Sequence, residues 1–482
     1  MKALLVSPRS KTWSSRKHIP LGLGYLAAIL EQEGHDVELW DGSVEEEPLG
    51  ETLKSQRFDI VGISSVTPLI YEAWDAARQA KMRGAVSILG GPHPTLMPGE
   101  SLEHPEVDLV VRGEADESIV EVMRALETEA GEAAPNTGAR RFSEKHWREI
   151  PGLSFRNGSG EIVHNDPRRP PADLDSLPFP AHHLYKIELY TNLQPRTDGL
   201  DPNARAYTII TSRGCPYQCI YCSKAVTGNT WRPRSPENVV EEWRKLVIDL
   251  RATEIGVTDD VMTLDVDRAK TICRLLIEEG LNKVPWITIH GIRADNTDLE
   301  LLQLMKDAGC KRVGFGVESG NQRVLDIMKK HQTIDQVRQA FANARRAGLQ
   351  TIGFFIFGLP GENEETMEDT IRLALELDPD LANFMIAAPF PGTELYNMVL
   401  ESGELFSHDW GDYAIHDEKA RFAMGEVDAE LVERKWHEAY RRFYLRPGRI
   451  LRKGLTMELW RQLPTYVSDG RHFFLSRISS RG

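Results

Sequence analysis

The segment Tyr207-Thr-Ile-Ile-Thr-Ser-Arg213-Gly-Cys215-Pro-Tyr-Gln-Cys219-Ile-Tyr-Cys222 joins a short apolar run to three cysteines. An apolar run closed by small and polar residues reads as a buried strand feeding a loop. Thiolates hold soft metals, and four cysteines normally close an iron–sulfur cluster. Three at C-x3-C-x2-C spacing leave one iron without a protein ligand, and an open metal position is where a cofactor or substrate binds. A zinc site with a distant fourth ligand is the competing reading, although structural zinc usually pairs two knuckles. A chance cluster is the other. Cys273 and Cys310 lie far apart in helix-like stretches and read as buried apolar residues. Five cysteines in 482 residues, behind an amino terminus that runs straight into a strand pattern, do not suggest a disulfide scaffold or a secretory signal.

Around that segment the chain alternates. Strand candidates fall at 207–211, 254–258, 286–290, 312–317, 350–357 and 381–386, with helical runs between them. One helix is expected to open on Ser235 as cap with Pro236 at its first position. Six such units predict a partial (β/α) barrel, whose chemistry belongs at the carboxyl ends of the strands. Those ends carry Arg213 and the cysteines, Asp259-Asp260, His290 with Arg293, Glu318-Ser-Gly320, Gly358-Leu-Pro-Gly361 and Ala387-Ala-Pro-Phe-Pro391. His290 reads as an ordinary strand-end histidine as readily as a catalytic one.

Upstream, residues 1 to about 126 also alternate, with buried-strand patterns at 3–6, 37–40, 60–64, 87–89 and 109–111 and helical patterns such as 21–31 and 71–82. This predicts an α/β doubly wound parallel sheet, with its ligand site beyond the carboxyl ends of the strands. Ser64-Ser-Val-Thr-Pro68, Gly90-Gly-Pro-His-Pro-Thr95 and Gly113-Glu-Ala-Asp-Glu117 follow the third, fourth and fifth strands. Glycines there let backbone approach a flat ligand closely. Residues 127–141 read as a mobile Ala/Gly/Glu linker, 153–163 as a hairpin turning at Asn157-Gly158, and 167–180, with five prolines, as extended chain. After residue 401 the pattern is irregular, then helical over 430–444. The expected organisation is 1–140 and 201–395 as the two α/β domains, 141–200 as linker and 396–482 as a helical carboxyl-terminal region.

A chain of 482 residues exceeds one core, and 41% hydrophobic with 27% charged residues is ordinary for a globular protein. No apolar run is long enough to span a membrane. A net charge of −14 argues against nucleic-acid binding. From Arg441 onward, however, ten Lys/Arg face two acids among many aromatics, a difference of +8. Such a tail either rests on an anionic membrane surface or packs as a helical lid on the acidic body.

The cysteine motif resembles that of the radical S-adenosylmethionine (SAM) enzymes. In that family the amino and carboxylate groups of SAM chelate the fourth iron of a [4Fe-4S] cluster held here by Cys215, Cys219 and Cys222. The reduced cluster splits SAM to a 5′-deoxyadenosyl radical. A sheet carrying Leu89-Gly-Gly-Pro-His-Pro-Thr95 set before such a barrel resembles the cobalamin-binding subfamily, over residues 1 to about 395. Asp173-Leu-Asp-Ser-Leu-Pro-Phe-Pro180 resembles its inter-domain segment. The resemblance implies cobalamin near Ser64, Ser65, Thr67, Gly90, Gly91, Pro92, His93 and Gly113, although the D-x-H-x-x-G cobalt-ligand motif is absent. It implies SAM contacts from Tyr221 to adenine, Asp259 or Asp260 to the ammonium and Arg293 to the carboxylate. Glu318 and Ser319 would lie near the ribose and methionyl groups, and Gly358 under the adenine. The Val-Thr-Asp-Asp260 stretch departs from the Gly-Gly-Glu of many members. The implied activity is methyl transfer to an unactivated carbon in the cytoplasm, with a small-molecule or lipid-like substrate and an electron donor such as flavodoxin or ferredoxin. Cyclisation, oxidation or rearrangement of a tetrapyrrole or polycyclic lipid is the alternative. A catalytically silent cobalamin-binding protein is a third reading, against which the intact cysteines count. A methylthiotransferase would carry three further cysteines before Cys215, and this chain has none there.

Overall fold

The computed structural model describes residues 1–9, 19–132, 144–190, 205–413 and 418–449. Its first sheet contains β1 (Lys2–Ser7), β2 (Asp36–Asp41), β3 (Ile60–Ser64), β4 (Val86–Gly90), β5 (Leu109–Val111), β6 (Leu153–Arg156) and β7 (Ile162–His164), ordered β2-β1-β3-β4-β5-β6-β7. The first five run parallel. Side chains alternate across a strand, so a continuous apolar run feeds both faces. Leu5 joins the core beneath helices Leu21–Gln32 and Ser118–Glu132, while Leu4 and Val6 join the core beneath helix Ile70–Met82. The order reverses between β1 and β3, so a crevice opens there at the strand ends.

Two expectations change here. The 153–163 hairpin is part of this sheet, because β6 pairs antiparallel with β5 and β7 with β6. It covers the otherwise unpaired edge of β5. Residues 127–132 are helix, continuing Ser118–Glu132, and the rest of the expected mobile linker lies outside the described residues.

The second sheet has six parallel strands in spatial order: Leu381–Ile386, Gln350–Phe357, Cys310–Glu318, Trp286–Thr288, Glu254–Val257 and Ala206–Ile209. Ser235 does cap helix Pro236–Arg244, accepting from Asn238 N. Cys273 and Cys310 are fully buried in the core between strands and outer helices, Cys273 in helix Val266–Glu278 as read, Cys310 at the start of strand Cys310–Glu318 and not in a helix. An open barrel leaves an edge, and the edge of Leu381–Ile386 is satisfied by side chains of helix Ala429–Tyr444. Trp436 Nε1 donates to Phe384 O at 2.9 Å. Tyr440 Oη donates to Phe384 O at 3.2 Å and accepts from Phe384 N at 3.3 Å. Tyr444 Oη donates to Ala382 O at 2.8 Å and accepts from Ala382 N at 3.1 Å. Spacing of four residues puts all three polar tips in one row along the helix.

The described part of the basic tail packs on the body. Arg446 and Arg449 both bind Asp378, and Arg442 binds Glu368. Residues 450–482, with the rest of that tail, lie outside the described residues. No described helix is long and apolar enough to cross a membrane.

Candidate functional site

The cysteine loop leaves the first barrel strand through Gly214, whose φ of +84° suits glycine alone. A Cβ there would stand 2.2 Å from Thr230 O, so the loop is pinned against the turn beyond it. Cys215 and Cys219 are half-buried and Cys222 is more exposed. The protein around its sulfur and the neighbouring sulfurs of Cys219 and Cys215 push the Cys222 thiol up to about 12. Cys215 is raised for the same reason, burial first. Two thiols, Cys215 and Cys222, that resist ionisation beside a third sulfur are what a cationic centre would relieve. Among the described residues no three His, Cys, Asp or Glu side chains converge on one point that could hold a metal ion. Three cysteines on one short loop match three irons of a cluster and leave the fourth open for a cofactor. The donor set fits the cluster.

The polar residues at the barrel rim divide into two groups. Asp259 accepts from Thr211 N, Thr211 Oγ1 and Ser212 Oγ, each at 2.6 Å, and is buried. It ties the second strand end to the first and has no free oxygen for an ammonium. Arg293 forks onto Asp295 at 2.9 and 2.8 Å, donates to Lys330 O at 2.7 Å, and stacks 3.6 Å above the Tyr217 ring in the cysteine loop. It braces that loop rather than waiting for a carboxylate. Ser319 is fully buried, 3.3 Å from Thr370 Oγ1, and accepts from Asn321 N. Gly358, at φ +83°, donates its N–H to Glu362 Oε2 at 2.8 Å, and Leu359 N does so at 2.9 Å. Burial pushes the Glu362 carboxyl up to about 8 against the pull of those two bonds.

The other group faces the cysteine loop. Asp260 is exposed, accepts from Thr227 Oγ1 at 2.9 Å, and lies close enough to Cys215 and Cys222 to raise both thiols. Tyr221 is half-buried, its Oη 3.5 Å from Lys330 Nζ. Lys330 meets Glu318 at 2.6 Å, and both are buried. Glu318 ends its strand at φ +63°, where the pairing register shifts, and that unfavourable backbone turns its side chain onto Lys330. Gly316 is small because the pair fills its Cβ space: Glu318 Oε1 would lie at 2.5 Å and Lys330 Nζ at 2.8 Å. Lys330 carries no motif; its late position after a helix hides it from sequence reasoning. His290 is exposed, its Nδ1 3.1 Å from Thr258 O.

At the first sheet's carboxyl ends lies a cavity of about 260 Å³. Ser64, Gly90, Gly91 and Gly113 line it, together with apolar Leu23, Leu26, Ile63, Leu89 and Val111. A Cβ on Gly113 would meet nothing within 4 Å, and one on Gly90 only Val111 O at 3.6 Å, so the recess exists because side chains are missing. Such a cradle fits a face of a large flat group like a corrin. Ser65, Thr67, Pro92 and His93 are not on its wall. His93 is fully buried, with Nδ1 3.3 Å from Thr67 Oγ1, Nε2 3.1 Å from Glu100 Oε2, and the Trp410 ring edge-on at 5.3 Å. Both ring nitrogens are engaged, so this histidine is held as support behind the lip. The far wall of the cavity is Ile210, Arg213, Val226 and Thr227, from the cysteine-loop side of the barrel.

The family model of the B12 binding domain matches residues 14–123, and that of the radical SAM superfamily residues 209–374. An uncharacterized methyltransferase of Pyrococcus horikoshii is 33% identical over 465 residues, covering 94% of each chain. The anaerobic magnesium-protoporphyrin IX monomethyl ester cyclase of Cereibacter sphaeroides is 30% identical, covering 89% of this chain and 67% of its own length. The radical SAM methyltransferase TsrM of Kitasatospora setae, solved with cobalamin and a [4Fe-4S] cluster, superposes with a TM-score of 0.69 at 18% identity, over 93% of this chain and 89% of that one. The chain belongs to the cobalamin-binding radical SAM enzymes.

Proposed function

We propose that this enzyme uses a [4Fe-4S] cluster, SAM and cobalamin to transfer a methyl group to an unactivated carbon of a small molecule. When bound, the cluster supplies the electron that cleaves SAM to a 5′-deoxyadenosyl radical, and cobalamin supplies the methyl group. One observation carries the reading: the glycine-lined recess and the cysteine loop share a wall, with Arg213 and Thr227 closing the cavity that Gly90, Gly91 and Gly113 open. Two reactive groups a short distance apart, shielded from water, are what a radical methyl transfer needs.

The chain's own residues would hold these groups. Cys215, Cys219 and Cys222 ligate the cluster. Asp260 offers its exposed carboxylate to the SAM ammonium, a role its buried neighbour Asp259 lacks the free oxygen to fill. Lys330, steadied by Glu318, is the cation nearest Tyr221 and suits the SAM carboxylate. Tyr221 packs beside the adenine, with Gly358 presenting backbone from the fifth strand end. Ser64, Gly90, Gly91 and Gly113 receive the corrin face.

The methyltransferase relative supports methylation, and the cyclase relative keeps ring closure of a tetrapyrrole as the second reading. Neither names a substrate for this chain, and an electron donor of the flavodoxin or ferredoxin kind and a cytoplasmic setting belong to the same proposal. Purification without oxygen, reconstitution with iron and sulfide, and assay with SAM, cobalamin and reductant should yield 5′-deoxyadenosine, and with a panel of small-molecule acceptors added, an acceptor heavier by one methylene unit. An acceptor that loses hydrogen, gains no carbon and shows a new ring bond by NMR would instead support cyclisation. Zinc in place of iron, or no cobalamin uptake, would sink both.

A further inference from the structure

Four charges from opposite sides of the domain boundary meet at the shared cavity, where Glu114, Asp116 and Arg213 form part of the wall and Arg232 stands behind it, all four largely closed off from solvent. Arg213 and Arg232 come from the barrel, where they sit directly opposite each other on a two-residue antiparallel ladder. Glu114 and Asp116 come from the loop after β5 of the first sheet. Arg213 Nη1 donates to Glu114 Oε2 and to Asp116 Oδ2, both at 2.8 Å, and Nη2 reaches Asp116 Oδ1 at 3.3 Å. Arg232 Nη1 donates to Glu114 Oε2 at 3.1 Å, and Arg232 Nη2 to Glu114 Oε1. Side-chain exposures are 9%, 6%, 3% and 5% for Arg213, Arg232, Glu114 and Asp116, which excludes a solvated surface pairing. Arg213 also lies 4.9 Å from the Tyr25 ring of helix Leu21–Gln32.

The arrangement is self-cancelling only across the boundary. Two guanidiniums facing each other on a ladder repel. Two carboxylates on one short loop do the same. The opposite charge for each pair comes from the other domain, although Arg232 also donates to Pro171 O at 2.8 Å and to Thr227 O of its own side at 3.1 Å, and a buried charge left without its partner is strongly destabilising. The bidentate forks also fix orientation. Gly214 alone separates Arg213 from Cys215, and Gly113 on the cavity wall immediately precedes Glu114. The quartet thus joins the first residue of the cysteine loop to the loop that borders the glycine recess.

We propose that Glu114, Asp116, Arg213 and Arg232 are positioning residues that fix the separation between the cluster loop and the cobalamin recess. The proposal rests on the cofactor assignment above. It goes beyond it in giving these four side chains a metric role rather than a ligand role. With the quartet intact, the cobalt-to-cluster separation is single-valued; without it, the two halves of the site drift independently.

The test is a distance. Wild-type protein and the isosteric double variant Glu114→Gln/Asp116→Asn are reconstituted anaerobically with iron, sulfide and hydroxocobalamin and then reduced. Pulsed electron paramagnetic resonance reads the separation of cobalt(II) and the reduced cluster. The wild type is expected to give one narrow distribution and the variant a broadened or shifted one, with iron and cobalt contents retained. An unchanged distribution in the double variant overturns the proposal, as does a double variant that no longer folds by circular dichroism, which would make the quartet structural only. A wild type without cobalt or cluster defeats the cofactor assignment itself, a separate result.

Discussion

The carboxyl ends of the two parallel sheets are built from the same residue types and do opposite things with them. At the first sheet, Gly90 and Gly113 leave space that no side chain fills, and the polar residues behind the lip, Thr67 and His93, are bonded away from it. At the barrel, the positions expected to greet SAM are largely consumed by the protein itself: Asp259 by Thr211 and Ser212, Arg293 by Asp295 and the Lys330 carbonyl, Ser319 by Thr370. A recess is made by absent side chains, a rigid rim by satisfied ones. What still turns toward the cysteine loop at the barrel is the exposed Asp260 carboxylate and, beside Tyr221, the Lys330–Glu318 pair, a smaller set than the strand-end pattern suggests.

That contrast can be broken most sharply at the cysteines. Cys219→Ala should abolish bound iron and 5′-deoxyadenosine formation while cobalamin stays in place, because no cysteine lines the recess. Simultaneous loss of cobalamin, read from the visible spectrum, would mean that the two rims do not act as separate sites. Lys330→Ala comes next. It strands Glu318 in a buried position, at a cost of about 3 kcal/mol in denaturant unfolding of the cluster-free protein. Adding Glu318→Gln should recover most of that loss, and an additive double variant would deny the pairing. Gly90→Leu then probes the other rim. Its backbone is unstrained and a Cβ fits, so the fold should tolerate it, while the larger side chain occupies the recess. Cobalamin affinity should drop on the order of tenfold, about 1.4 kcal/mol, with iron content unchanged.

Much of this was readable in advance for a physical reason. Strand–helix alternation and the three-cysteine spacing are local, and locality is what a linear pattern records. The capped helix at Ser235 and the buried state of Cys273 and Cys310 follow from the same local signals. Residues whose role depends on distant partners were not readable. Nothing in Val-Thr-Asp-Asp260 tells that the first aspartate closes three hydrogen bonds 47 and 48 residues away while the second stays open. Lys330 becomes legible only when Glu318 takes a left-handed backbone and turns toward it. The hairpin at β6 and β7 looked like linker because its partner, the edge of β5, is a three-residue strand more than 40 residues upstream. The Glu114–Arg213 contact spans 99 positions.

The smallest effect separates both rims from the barrel's outer edge. Tyr444→Phe removes the partner of both Ala382 N and Ala382 O, whereas Tyr440→Phe removes the partner of Phe384 N but leaves Phe384 O still bonded to Trp436 Nε1. A hydrogen bond nets about 1 kcal/mol, and an orphaned buried backbone group costs somewhat more. Tyr444→Phe should therefore lower stability by about 1–2 kcal/mol and Tyr440→Phe by about 1 kcal/mol. These tyrosines lie on the outside of the last strand, so iron content, cobalamin content and SAM cleavage should be unaffected in both variants. Equal losses would mean that the helix is held by its apolar face alone, with Phe443 and Trp436 packed on Phe384 and the hydroxyls idle. A loss of cobalamin or cluster in either variant would mean that closing the barrel's free edge sets the geometry of the rim, and the division between scaffold and site drawn at Asp259 and Asp260 would have to extend to the carboxyl-terminal helix.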